Sequence, residues 1–135
     1  MEEKQVTLDN GETIFYRERS GGEVPVILIH GNMSSSKHWE TLMHSLAPKY
    51  KLFAPDLRGF GESTYYTKIQ SVNDFAYDLK QFSEKLGLKK FSLIGWSLGG
   101  AVVMRFTLDY PELVEKLVLL ASVSTRGYPI FSMDE

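Results

Sequence analysis

The 135 residues contain no cysteine, which excludes disulfides and thiolate metal sites outright. Histidine is scarce: His30, His38 and His44 are the only three, and none follows position 44. No apolar run approaches the ~18 residues needed to span a bilayer. The acidic start "MEEKQ" leads into no apolar stretch of the kind a secretory signal carries. A cytoplasmic protein with no membrane partner is therefore expected. The formal net charge of −2 offers no electrostatic reason to expect nucleic acid either. Neither a G-x-G-x-x-G fingerprint nor a Walker lysine is present, so no nucleotide cofactor is implied.

What is present reads as strands alternating with helices. "KQVTLDNGETIFYRER" places two β-prone runs around Asp9-Asn10-Gly11, a hairpin signal in which Asn-Gly tolerates the positive φ of a tight turn. "VPVILIHG" (24–31) has the composition of a strand buried on both faces of a parallel sheet. Trp39, Leu42, Met43 and Leu46 then form one helical stripe, stopped by Pro48. "KLFAPDL" (51–57) is the next strand, followed by the glycine-rich "RGFGEST". Ser71 and Asp74 suit a capping box for a helix that buries Val72, Phe75, Ala76, Leu79, Phe82 and Leu86 and ends at Gly87. "KKFSLIGW" is a third core strand, "LGGAVVMRFTLDY" a helix, and "VEKLVLLAS" a fourth core strand. The pattern predicts an α/β class: one domain over 1–135, a mostly parallel sheet with helices on both faces, and an antiparallel N-terminal hairpin.

One stretch carries chemistry. In "GWSLGG", Gly95 and Gly99 flank Ser97 by two residues on each side, at a strand-to-helix junction. Such a turn lifts a serine Oγ to the C-terminal edge of the sheet, with the Leu98 N–H facing any anion that forms beside it. The plainer alternative is a serine N-cap with glycines for packing. "HGNMSSS" (30–36) also follows a core strand and precedes a helix, so Asn32 can supply a second backbone donor.

"VILIHGN", "APDLRGFGEST", "LIGWSLGG" and "YPELVEKLVLLAS" together resemble the N-terminal half of the α/β-hydrolase fold family, in order and spacing. The resemblance implies that Ser97 is the nucleophile and that Asn32 and Leu98 form the oxyanion hole. It gives His30, Gly31, Gly95, Trp96 and Gly99 structural places beside the site. Asp56, Arg58 and Ser63 take structural roles in a bordering loop. A serine at 97 resembles the family's esterases, lipases, lactonases and peptidases, and argues against its dehalogenases and epoxide hydrolases, which carry aspartate there. The substrate implied is a small ester-like molecule, with no cofactor and no metal.

The departures matter equally. In this family the acid and the histidine follow the serine. No histidine follows Ser97, and Asp109 lies eleven residues beyond Leu98 on the same helix, ~17 Å away at the helical rise. His38 and His44 read as solvated flank residues. His30 lies on the neighbouring strand, but its imidazole would fill the space an oxyanion needs. The expectation is a partial fold lacking its C-terminal strands and helix, with a placed but unactivated serine. Residues 122–135 would begin a cap region. An open, apolar sixth strand would recruit a second copy or a complementary C-terminal fragment. The alternative reading is a non-catalytic half-fold that serves as an assembly module through that edge.

Overall fold

The structure is a computed structural model and describes residues 1–120. Strands β1 (Glu2–Thr7) and β2 (Thr13–Arg19) form the antiparallel hairpin, with Thr7 opposite Thr13. The connection is a five-residue loop rather than the tight two-residue turn suggested by Asn-Gly. Only Gly11 takes a left-handed φ (+90°), while Asn10 Oδ1 accepts from the Glu12 N–H at 3.0 Å. The side chain thereby replaces one of the backbone contacts of a tighter turn.

Strand β3 (Val24–Ile29) leads through a 3₁₀ turn (Ser36–Trp39) into helix α1 (Glu40–Ser45). The predicted stripe is present, with Trp39 and Met43 buried and Leu42 and Leu46 packed beside them. Arg19 donates to the carbonyls of Met43, Leu46, Ala47 and Tyr50, so a cation closes the C-terminal end of α1. Strand β4 (Tyr50–Pro55) is followed by a long loop and helix α2 (Val72–Lys85). Ser71 Oγ accepts from the Asn73 N–H, whereas Asp74 reaches back one residue further than a capping box requires, to the Gln70 N–H at 2.8 Å. Strand β5 (Phe91–Trp96), helix α3 (Leu98–Asp109) and strand β6 (Val114–Leu120) complete the described chain.

The sheet order is β1-β2-β4-β3-β5-β6. Strands β4, β3, β5 and β6 run parallel, and β2 joins β4 antiparallel. Helices α2 and α3 cover one face through Phe75, Leu79, Phe82, Val102, Val103 and Phe106. The 3₁₀ turn and α1 lie on the other face, against Val26, Leu28, Leu52 and Ala54.

Strand β6 is the edge of the sheet among the described residues, in line with the open sixth strand expected from the sequence. Its Leu117, Val118, Leu119 and Leu120 are 36–48% exposed. On the α1 face, Ile94 and Val118 border an open cavity of about 550 Å³ with Val26, Leu46 and Tyr50, and Lys49 and Lys116 stand among its walls. The expected cap start at 122–135 and the last residues of the sixth apolar run lie outside the described residues.

Candidate active site

The candidate site is built where β3 and β5 end side by side, with Ile29 opposite Gly95. A Cβ on Gly95 would collide with the Gly99 carbonyl, and one on Gly99 would collide with the carbonyl of Ile29. Both positions are glycine because strand and helix backbones touch there. That contact forces a sharp reversal between them, and Ser97 absorbs it at φ 58°, ψ −119°. Only one other non-glycine among the described residues has positive φ, Met33 at 57°, in the loop after β3. L-residues pay in strain for this conformation, and such strain gathers at functional sites.

Ser97 stands formally at the N-cap of α3, yet its side chain makes no capping hydrogen bond. The plainer N-cap alternative therefore does not account for this serine. The Ser97 carbonyl accepts from the Gly100 and Ala101 N–H groups at 2.9 and 3.3 Å. The Leu98 N–H, one turn earlier, stays at the open end of the helix, where the macrodipole favours negative charge.

Gly31 is drawn against this elbow. A Cβ on it would lie 2.6 Å from Trp96 Cε3 and 3.0 Å from Ser97 Cβ. Asn32 follows on the same loop and is exposed. The sequence-predicted residues Gly31, Gly95, Trp96, Ser97 and Gly99 are thus brought into one small region.

His30 is fully buried, with both ring nitrogens occupied. Nε2 accepts from the Leu57 N–H at 3.0 Å, so Nδ1 carries the proton and donates to the Gly31 carbonyl at 2.8 Å. Burial pushes its pKa below the ordinary value, and the Gly31 carbonyl and Asp56 offset that only in part. A neutral imidazole with no free nitrogen is a brace for the loop and offers Ser97 no base. His44 is exposed near the end of α1. His38 is exposed too, but it is not the merely solvated residue expected from sequence: its ring stacks on Trp96 at 4.4 Å and 10°.

Asp56 ties two loops together. One carboxylate oxygen accepts from the Ser36 N–H at 2.6 Å and the other from the Glu62 N–H at 2.8 Å. Ser63 Oγ donates to the Asp56 carbonyl at 2.7 Å. Arg58 binds Asp78 through two bonds, Nε to Oδ2 at 2.8 Å and a terminal nitrogen to Oδ1 at 2.6 Å. Glu12, fully buried nearby, accepts from Thr64 Oγ1 and from the Tyr66 and Thr67 N–H groups. Burial works to raise the Glu12 pKa, but these donors together with Arg58 bring it below the ordinary value. Sequence reading missed Glu12 and Asp78 because nothing in their spacing distinguishes a buried carboxylate from a solvated one.

Comparison with known proteins agrees with this architecture. The family model described as alpha/beta hydrolase fold matches residues 24–134. A soluble epoxide hydrolase from Corynebacterium sp. is 33% identical over 111 residues, covering 82% of this chain and 38% of that protein. A pimeloyl-[acyl-carrier protein] methyl ester esterase from Pectobacterium carotovorum is 32% identical over 111 residues, covering 82% of this chain and 41% of its own. The solved epoxide hydrolase CorEH superposes with a TM-score of 0.82 at 30% identity, over 87% of this chain and 41% of that one. The chain spans between 30% and 46% of the length of such curated relatives. With the glycine-flanked elbow, the parallel sheet order and the family match in agreement, this chain belongs to the alpha/beta hydrolase fold family.

Proposed function

We propose that Ser97 is the nucleophile of an ester-type hydrolase, with the N–H groups of Asn32 and Leu98 as its oxyanion hole. The observation that carries this reading is the strained Ser97 backbone, held at φ 58° with no capping bond to account for it. In the reaction, Ser97 Oγ attacks the ester carbonyl carbon and its proton passes to a general base. The alcohol leaves with a proton, and water then cleaves the acyl-enzyme. The named relatives include both an epoxide hydrolase and an ester hydrolase, so likeness alone does not choose between them. The alcohol side chain at 97 favours the ester.

The base is the part these residues do not supply. His30 is engaged at both nitrogens, and no histidine follows Ser97. A serine without its histidine retains only ~10³–10⁴ over water in a serine protease, about what remains when the whole triad is lost. The proposal is that acid and histidine come from polypeptide outside these 135 residues, and that the chain alone turns over poorly. The test is labelling of Ser97 by a fluorophosphonate probe, read by mass spectrometry, with and without imidazole as an external base. Labelling that needs imidazole and vanishes in Ser97→Ala supports the reading. No labelling under either condition sinks the nucleophile. Rapid turnover without imidazole sinks the missing base.

A second reading rests on a different observation, the exposed apolar β6 edge and the open α1 face beside it. Here the chain is an assembly module that pairs with a second copy or a complementary fragment. The two readings are compatible, since a complementary fragment is also where a base would come from.

A further inference from the structure

We infer that His38 is a positioning residue for the reaction, holding the Trp96 indole against the loop that carries Asn32; this rests on the reading of Ser97 as nucleophile. The loop from Gly31 to Ser35 is tied down at its two ends. His30 donates to the Gly31 carbonyl at one end, and Asp56 accepts from the Ser36 N–H at the other. Between these anchors lie Asn32 and Met33, both exposed, and Met33 has a left-handed backbone.

What sets this stretch against the serine elbow is packing on Trp96. The indole edge lies so close to Gly31 that a methyl group there would stand 2.6 Å from Cε3 and 2.7 Å from Cζ3. The His38 imidazole covers the same side chain, with ring centroids 4.4 Å apart and planes 10° apart. His38 also meets Trp39 edge-on at 5.1 Å, and Trp39 is buried in the α1-face core at 2% exposure.

One short segment therefore touches Trp96 twice, through Gly31 before the loop and through His38 after it. Trp96 is the residue immediately before Ser97, so its side chain links the donor loop to the elbow. Without His38 the half-buried indole has an open side to swing toward, away from Gly31. The separation between the Asn32 and Leu98 N–H groups would then lose its fixed value, and donors aimed at a developing oxyanion act only when held in place. His38 needs no titration for this role. A flat ring suffices.

The test uses His38→Ala and His38→Phe in the full chain. One readout is acrylamide quenching of tryptophan fluorescence in a Trp39→Phe background, where Trp96 is the sole tryptophan of the sequence. The other is the imidazole-dependent rate of fluorophosphonate labelling at Ser97. His38→Ala should raise quenching and slow labelling about fivefold, on the scale of one aromatic contact. His38→Phe should restore both. Unchanged quenching and labelling in His38→Ala overturn the proposal. Slow labelling in both variants, with quenching restored in His38→Phe, also overturns it, because the imidazole would then act chemically and not as a flat ring. If the wild-type chain takes no label with imidazole, the nucleophile reading has failed and the positioning role falls with it. The quenching result then still decides the stack on its own.

Discussion

His30 Nε2 accepts the Leu57 N–H at 3.0 Å, and with Nδ1 donating to the Gly31 carbonyl this bond leaves the imidazole at the end of β3 no free nitrogen to act as a base. It joins the end of β3 to the loop after β4, two segments that border the site. Burial of this imidazole also makes the chain's stability depend on pH. Folded His30 has a pKa below the ordinary ~6.5, so on acidification the unfolded chain takes up a proton that the folded chain refuses. The stabilisation is whole above about pH 6.5 and is lost as the pH falls through the lowered folded value. The wild-type chain should therefore lose more melting temperature between about pH 7.5 and about pH 5.5 than His30→Gln does. Equal losses in thermal melts would refute the assignment.

Gly99 and Gly100 are neighbours in α3 with opposite surroundings. A Cβ on Gly99 meets the Ile29 carbonyl, whereas one on Gly100 finds nothing nearer than 3.9 Å. Gly99→Ala should destabilise by about 1–3 kcal/mol. Gly100→Ala should stabilise by up to ~1 kcal/mol through helix propensity. Urea midpoints of the two variants check the sign of each.

The Ser97 backbone is strained while its side chain bonds to no cap. Ser97→Ala should leave stability nearly unchanged. Ser97→Gly should exceed Ser97→Ala by about 1 kcal/mol, because glycine adopts positive φ freely and part of that relief is offset by its greater unfolded entropy. If the two variants melt together, the elbow is not strained.

Arg58 and Asp78 are 5% and 4% exposed, with Glu12 fully buried beside them. Arg58→Met leaves two buried carboxylates without their cation and should cost about 3–5 kcal/mol. Removing the exposed Lys80–Glu84 pair by Lys80→Gln should cost less than ~1 kcal/mol. Chemical denaturation distinguishes the buried network from the surface pair.

Val118 and Leu120 lie on the exposed β6 edge, 42% and 40% accessible. If that edge recruits a second copy, Val118→Lys should shift the chain toward the monomer mass in light scattering. A wild-type chain that is already monomeric at high concentration would remove the self-pairing reading.

The alternation of apolar runs and amphipathic stripes was enough to specify the parallel sheet, its hairpin and three helices, because burial demands that periodicity wherever an element lies between layers. "GWSLGG" likewise announced the elbow, since two glycines spaced around a serine answer a backbone collision that any such turn must avoid. Residue pairing was not legible. Only the folded chain put His38 on Trp96, turned both His30 nitrogens toward backbone groups, and gathered Glu12, Arg58 and Asp78 into one buried network. Those contacts join residues from different elements, and their partners depend on sheet order and helix placement that local sequence does not encode. Strand β6 shows the same division. Its apolar composition and the resemblance made it an open sixth strand, but its register against β5, with Leu117 opposite Leu93 and Leu120 opposite Trp96, was decided by the tertiary arrangement.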